Sequence, residues 1–131
     1  DRWKFQVENN PLLLDTTFSN WGENSFQSYP DPYIPENVIS NNAFTGAAES
    51  HTLGYRYDFI NNMDSVYRLN FTFQHTSPTL VLKFIAENLQ GQYTDGYGFT
   101  YWDESWGIDN LTIKIKGQDS FSVYLPMISA K

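Results

Sequence analysis

Four oxygen-bearing side chains lie close together toward the C-terminal end of the chain: Asp103, Glu104, Asp109 and Asn110. Calcium in proteins takes about six to eight oxygen ligands, from carboxylates and from backbone carbonyls. This spacing therefore predicts one Ca²⁺ site, completed by backbone oxygens of the neighbouring loop. The alternative is that the acids are solvated and that Asp109 or Asn110 binds the local backbone.

A second candidate site is the loop at residues 91–102, GQYTDGYGFTYW, which is rich in glycine and aromatic residues. Aromatic faces beside acids suit sugars, because sugar CH groups meet the ring while hydroxyls meet carboxylates. We expect any glycan-binding platform to consist of Tyr93, Tyr97, Tyr101 and Trp102. The alternative is that these rings cover the end of the domain or pack against a neighbouring subunit.

Two sequons are present, at Asn70 (Asn-Phe-Thr) and Asn110 (Asn-Leu-Thr). In a secreted eukaryotic chain both could be N-glycosylated. Asn70 lies opposite the apolar residues of its predicted strand, which favours exposure. Asn110 could instead be committed to the backbone around it.

Enzyme chemistry finds little support in the sequence. His51 and His75 are the only histidines, and neither lies in a nucleophile-elbow or zinc-protease motif. A glycosidase needs two carboxylates at a cleft. Because the chain has 15 Asp and Glu residues, some pair can always be found, and its presence does not indicate a glycosidase. We therefore predict a non-catalytic protein and regard a glycoside-active enzyme as the least favoured alternative.

Composition narrows the class of protein further. The chain has 131 residues, typical of one domain, and no cysteine, which excludes disulfides and thiol chemistry. A net charge of −7 disfavours nucleic acid as a partner. No apolar run approaches the roughly 20 residues of a membrane span, so no membrane insertion is expected. The first residue is Asp1 rather than Met, and we expect a processed or trimmed end.

Hydrophobic alternation of period two predicts an all-β domain. Aromatic residues, 18% of the chain, favour strands over helices. Residues 51–59 alternate, and residues 66–75 and 80–86 are predicted to pair as an antiparallel hairpin. A shorter alternation covers residues 3–7. Residues 29–35 contain three prolines and cannot form a central strand.

The final predicted strand covers residues 105–116 and contains a phase slip. Trp106 and Ile108 are in phase with each other, whereas Leu111 and Ile113 follow the opposite phase. One extra residue would restore the register, which predicts a β-bulge near residues 109–110. Trp106 is expected to lie in the core.

Residues 103–110 read D-E-S-W-G-I-D-N. This motif resembles the pattern near the last strand of galactose-binding-like jelly-roll modules in extracellular proteins of protists and bacteria. Residues 73–84 resemble the hairpin that precedes it there, and the resemblance covers about residues 55–116. It implies an antiparallel β-sandwich at the cell surface, often joined to adhesins or glycan-active proteins.

The domain is predicted to cover residues 1–117, and residues 118–131 form a C-terminal strand or tail. In the tail Phe121, Val123 and Leu125 alternate, which favours pairing with the sheet edge of another copy, head to tail. The alternative is a strand that folds back on its own sheet. We therefore predict a self-assembling structural or adhesion subunit, and alternatively a module that binds extracellular glycans.

Overall fold

All regular secondary structure that the structure describes is β-strand. The computed structural model describes residues 2–8, 10–20, 25–36, 41–54, 64–89, 93–94, 98, 100–101 and 106–114. Within these ranges there is no helix, and every strand pairing is antiparallel. The all-β class predicted from the sequence is therefore confirmed. A helix suited to crossing a membrane is likewise not found in these ranges.

The described strands are short, and three of them form the largest sheet. In chain order they are β1 (Arg2–Val7), β2 (Leu12–Thr16), β3 (Phe26–Gln27), β4 (Asn41–Asn42), β5 (Glu49–Ser50), β6 (Ser65–Val66), β7 (Leu82–Glu87), β8 (Tyr93–Thr94) and β9 (Thr100–Tyr101). β1 lies between β2 and β7. The remaining strands pair as β3 with β4, β5 with β6, and β8 with β9.

Alternation along β1 divides the main sheet into an apolar and a polar face. Trp3, Phe5 and Val7 share one face, and Phe5 and Val7 are 5% and 0% exposed. Phe5 lies opposite Leu14 on β2 and opposite Phe84 on β7. Because directly opposed residues share a face, all three strands contribute apolar side chains to one side of the sheet.

Aromatic rings form the centre of this apolar face. The ring of Phe5 stacks on Phe84, with centroids 4.8 Å apart, and also lies 4.8 Å from the ring of Phe71. Trp3 meets Trp106 edge to face at 4.8 Å. Such pairs add about 0.5–1.5 kcal/mol beyond the burial of their area. They join the N-terminal strand to three segments that are distant in sequence.

Ion pairs occupy the opposite face of the same sheet. The Arg2 guanidinium donates two hydrogen bonds of 2.6 Å to the carboxylate of Asp15, and Lys4 Nζ donates one of 2.6 Å to Glu87. The hydrogen bonds to Asp15 raise the pKa of Arg2, whose guanidinium also lies 4.6 Å from the ring centroid of Tyr33. Since this face is partly solvated, the pairs set the strand register more than they stabilise the fold.

The predicted hairpin between residues 66–75 and 80–86 is wrong. Its second strand exists as β7, but the partner of β7 is β1. Residues 67–75 contain no strand, and β6 pairs with β5. Alternation determines which side chains are buried, but it does not determine which strand lies alongside.

The predicted final strand and its β-bulge are also wrong for the part that is described, residues 106–114, which contains no strand. Asn110 has a left-handed φ of 54°. Its backbone N–H donates a 2.7 Å hydrogen bond to the carboxylate of Asp109. Such local bonds compete with a sheet ladder. An irregular register does occur, but between Phe5 and Gln6 in the pairing of β1 with β2.

Trp106 is not the core residue that its phase predicted. Its exposed fraction is 44%, and that of Ile108 is 47%. The contact of Trp106 with Trp3 fixes one side of the indole while much of the ring remains at the surface. With no strand at these residues, the phase argument that placed Trp106 inside does not apply.

Three other expectations have mixed outcomes. The proline-rich residues 29–35 contain no strand, as predicted. The loop at residues 91–102 instead contains the paired strands β8 and β9. Of the strand predicted at residues 51–59, the first four residues are described and form no strand, because His51 and Gly54 have φ values of 61° and 78°.

The proposed domain boundary at residue 117 and the tail lie outside the described residues, together with Phe121, Val123 and Leu125. Both the boundary and the role of the tail therefore remain predictions. The sandwich packing of two sheets also goes beyond the antiparallel pairing described above.

Replacing Phe5 with Ala tests whether the aromatic face of the main sheet is the core. We expect the free energy of unfolding, measured by urea titration, to fall by about 3–5 kcal/mol, because the ring is buried between Phe71 and Phe84. Phe26→Ala is the matched control: Phe26 is also in a strand but is 55% exposed, so its loss should cost about 0.5 kcal/mol or less. Equal costs for the two variants would contradict this assignment of the core.

Candidate functional site

Two of the four predicted calcium ligands are described, Asp109 and Asn110. Both are exposed. The two carboxylate oxygens of Asp109 accept hydrogen bonds from the backbone N–H of Asn110, at 2.7 Å, and from its side-chain amide, at 3.0 Å. Asp103 and Glu104 lie outside the described residues. The structure therefore shows a local turn at Asp109 and Asn110, and the grouping of all four residues stays a prediction.

A search of the described residues for a metal site finds no group of three or more His, Cys, Asp or Glu side chains that could hold an ion. The bonding of Asp109 to Asn110 matches the alternative stated above, in which these side chains bind the local backbone. Each carboxylate oxygen still keeps a lone pair for a cation. The calcium site remains a prediction.

Two of the predicted glycan-binding residues lie in a hairpin. The register of β8 and β9 places Tyr93 directly opposite Tyr101. Tyr97 and Trp102 lie outside the described residues. The structure therefore brings together the backbone positions of one pair from the predicted platform.

The two sequons differ in their surroundings. Asn70 and Thr72 are exposed, while Phe71 between them packs against Phe5. The side-chain amide of Asn110, by contrast, donates to Asp109. Of the two predicted N-glycosylation sites, Asn70 is therefore the exposed one for which no side-chain hydrogen bond is described.

A buried glutamine holds together the segments beside the main sheet. Gln27 is fully buried, at 0% exposure. Its Oε1 accepts hydrogen bonds from the N–H of Ser19, at 3.1 Å, and from the hydroxyl of Tyr67, at 2.9 Å. Its Nε2 donates to the carbonyls of Tyr29, at 3.0 Å, and Thr45, at 2.8 Å. All four hydrogen-bonding positions of the amide are thus satisfied.

Three aromatic rings pack together beside this amide. The ring of Phe18 lies 4.3 Å from that of Tyr67 and 5.0 Å from that of Tyr29. The backbone at Gly46, which has a φ of 76°, passes close to the ring of Tyr29. A Cβ at Gly46 would lie only 2.6 Å from Cε1 of Tyr29. Glycine is therefore needed here both for its conformation and for its size.

Hydroxyl groups fasten residues 28–31 to the end of β2. The N–H of Thr17 donates to Ser28 Oγ at 2.7 Å, and the N–H of Ser28 donates to Thr17 Oγ1 at 2.8 Å. The hydroxyl of Thr16 donates to the carbonyl of Asp31 at 2.9 Å. Thr16 and Ser28 are 1% and 6% exposed, so these are interior contacts.

A buried carboxylate organises the turn that follows β5. Asp64 is 4% exposed, and its Oδ1 accepts hydrogen bonds from the N–H groups of Thr52, at 2.7 Å, and Leu53, at 3.0 Å. The N–H of His51 donates to the carbonyl of Asp64 at 2.9 Å. The Asp64 carboxylate therefore accepts hydrogen bonds from N–H groups of the turn that are not paired in a β-ladder. Its role is structural.

One edge of the main sheet has no partner strand among the described segments. The N–H of Glu8 donates to the carbonyl of Val81 at 2.9 Å, which sets the phase of hydrogen bonding between β1 and β7. Because bonded and non-bonded pairs alternate, Leu82, Phe84 and Ala86 direct their N–H and C=O groups away from β1. No described segment pairs with that side of β7.

The other edge of the sheet is covered. On the outer side of β2, the N–H of Tyr33 donates to the carbonyl of Asp15 at 2.7 Å. The N–H of Tyr29 donates to the carbonyl of Thr17 at 3.1 Å. The sheet therefore has one protected edge and, among the described segments, one edge open to a further strand.

The sequence did not indicate either Gln27 or the edge of β7. A single glutamine in a polar stretch carries no signal of burial, although the hydroxyl residues Thr16, Thr17 and Ser28 hint at an interior network. The free edge becomes visible only once the partner of β7 is known. The candidate site defined by the geometry is therefore the open edge of β7.

Comparison with known proteins gives no assignment. No protein-family model matches the chain, and neither the curated proteins nor the solved structures include a significant match. The likeness to jelly-roll modules therefore rests on the motif at residues 103–110 and the preceding hairpin sequence alone.

Replacing Gly46 with Ala tests the close contact with Tyr29. Both Gly46→Ala and the control Gly54→Ala place a Cβ on a residue with positive φ, which costs about 1–2 kcal/mol. Nothing lies within 4 Å of the Cβ position at Gly54. We expect Gly46→Ala to lose a further ~1–3 kcal/mol in urea unfolding, because Tyr29 must move. Equal losses would show that the aromatic cluster tolerates the methyl group.

The Tyr67 hydroxyl should make stability depend on alkaline pH. Burial raises the pKa of Tyr67, although hydrogen bonds with Ser65 and Gln27 oppose this in part. The folded protein therefore favours the neutral phenol, a contribution that is complete below the unfolded pKa of about 10 and is lost as pH rises beyond it. At neutral pH, Tyr67→Phe should cost about 1 kcal/mol.

The measurement is the Tm of wild type and Tyr67→Phe between pH 8 and about 11, the range that spans the ordinary tyrosine pKa. We expect the advantage of the wild type to be constant up to about pH 9 and to shrink above about pH 10. A parallel decline of both proteins across the range would assign the alkaline loss to other groups.

Proposed function

We propose that this chain is a non-catalytic extracellular structural or adhesion subunit, a jelly-roll β-sandwich that assembles by adding a strand to the open edge of β7. The observation that carries the proposal is the row of backbone groups at Leu82, Phe84 and Ala86, with which no described segment pairs. A row of this kind is a template for a strand from another chain.

Apolar surface beside the edge supports the same proposal. Phe84 is 36% exposed, and Trp106, which contacts the apolar face through Trp3, is 44% exposed. A strand added to β7 would place alternate side chains on that face and cover these rings. In addition, the register of β7 against β1 is regular. β7 therefore has no bulge in this pairing that would discourage a further strand from pairing with its other side.

The donor strand is proposed to be the tail, through Phe121, Val123 and Leu125. Burial of these side chains would contribute about 1.5–3 kcal/mol each before the entropy of ordering is subtracted. One donor and one acceptor per subunit make head-to-tail contacts, which produce rings or filaments rather than twofold dimers. If the tail instead paired with β7 of its own subunit, the protein would be a monomer.

A proline at residue 86 should block assembly without unfolding the subunit. The N–H of Ala86 faces the open side of β7, so Ala86→Pro loses no bond to β1 but denies one to an incoming strand. In size-exclusion chromatography with light scattering, we expect wild type and the control Ala86→Val to form concentration-dependent oligomers. Ala86→Pro should remain a monomer with a similar Tm.

Truncation after Lys116 separates the two possible roles of the tail. Under the proposal the truncated protein is folded and monomeric. If the truncated protein unfolds while the full-length chain is monomeric at every concentration, the tail completes its own sheet and assembly through β7 is wrong.

A second candidate function is glycan binding at the aromatic loop. The observation that favours it is the register of β8 and β9, which places Tyr93 opposite Tyr101. A monomeric protein that is retarded by a polysaccharide in affinity electrophoresis would favour this function over assembly. The two functions are compatible in one adhesion subunit.

A further inference from the structure

A second surface lies on the protected side of the main sheet. After the cis peptide bond between Tyr29 and Pro30, the chain runs Asp31-Pro32-Tyr33-Ile34-Pro35, which we name the proline stretch. Its conformation is restricted by sterics: proline fixes its own φ near about −65°, and a residue before proline is pushed toward extended or polyproline geometry. Of the five residues in the stretch, only Tyr33 is neither a proline nor followed by one.

The stretch is anchored at the position that sterics leave free. The N–H of Tyr33 donates to the carbonyl of Asp15 at 2.7 Å, and its ring lies 4.6 Å from the guanidinium of Arg2. One residue earlier than Pro32, the carbonyl of Asp31 accepts the hydroxyl of Thr16 at 2.9 Å. The backbone is therefore held against β2 before any partner binds, which lowers the entropic cost of recognition.

Side-chain exposure differs along the proline stretch. Pro32, Ile34 and Pro35 are exposed, Ile34 at 54%, while Tyr33 is half-buried. The stretch thus presents its prolines and Ile34 to solvent, while Tyr33 attaches it to the sheet.

We propose that the proline stretch is a docking element for a partner protein whose groove is lined by aromatic rings and flanked by basic residues. Pro32-Tyr33-Ile34-Pro35 has the P-x-x-P spacing that aromatic-lined grooves recognise. Asp31 and Glu36 flank it with acid, and the chain carries a net charge of −7. Charge complementarity therefore favours a basic partner and disfavours a second copy of this chain.

This inference is independent of assembly through β7, because it concerns the opposite edge of the sheet. The probes are purified SH3, WW and EVH1 domains that carry lysine or arginine beside their aromatic grooves. Binding to the full-length protein is measured by biolayer interferometry at low and high salt, with a decaproline peptide as competitor. We expect saturable binding to at least one domain, weakened by salt and by the peptide.

Pro32→Ala with Pro35→Ala should weaken that binding at least tenfold. The matched control is the pair Pro11→Ala and Pro78→Ala, which removes two exposed prolines elsewhere and should leave the affinity unchanged. Should the first variant lose its native Tm, Ile34→Lys, at an exposed side chain, provides the same test with the prolines retained. Binding to none of the domains, or equal binding by all variants, would overturn the proposal.

Discussion

The hydrogen bonds of the buried Gln27 amide are the interactions on which the first half of the domain depends. Four chain segments meet at this side chain, through Ser19, Tyr29, Thr45 and Tyr67. A buried amide is tolerated only when its donors and acceptors are paired, and each one left unpaired costs about 1–3 kcal/mol. The segments must therefore come together as a set, which explains how strands as short as β3 and β4 hold a defined geometry.

A second constraint is the central position of β1. It pairs on both sides, buries one face against aromatic rings and binds its neighbours on the other face through ion pairs. The outer edges of its two partner strands differ. The edge of β2 is covered by the segment that Gln27 and Ser28 hold in place, whereas β7 has no described neighbour beyond it. The asymmetry of the sheet thus follows from the polar network rather than from the strands themselves.

The sequence was sufficient for features that depend on a residue and its nearest neighbours. Alternation identified β1 and the apolar residues of β7, and the prolines correctly excluded a strand at residues 29–35. It failed where long-range pairing decides, because an alternating strand fits several partners equally well. It failed again at Asp109 and Asn110, where side chains bind the backbone and no ladder forms. The edge of β7 could not be predicted for the first of these reasons, because a strand is recognised as an edge only when its pairing partners are known.

The two proposed surfaces are compatible because they use opposite edges of one sheet. Strand addition at β7 leaves the outer side of β2 untouched, so each subunit of an assembly would still present Pro32 and Pro35. A head-to-tail array would repeat the proline stretch at regular intervals along its length. A partner with several grooves would then bind the array far more tightly than one subunit, since each later contact is intramolecular. In this proposed arrangement weak individual docking would become selective for the assembled protein, and pairing at the β7 edge would set the affinity measured at the opposite edge.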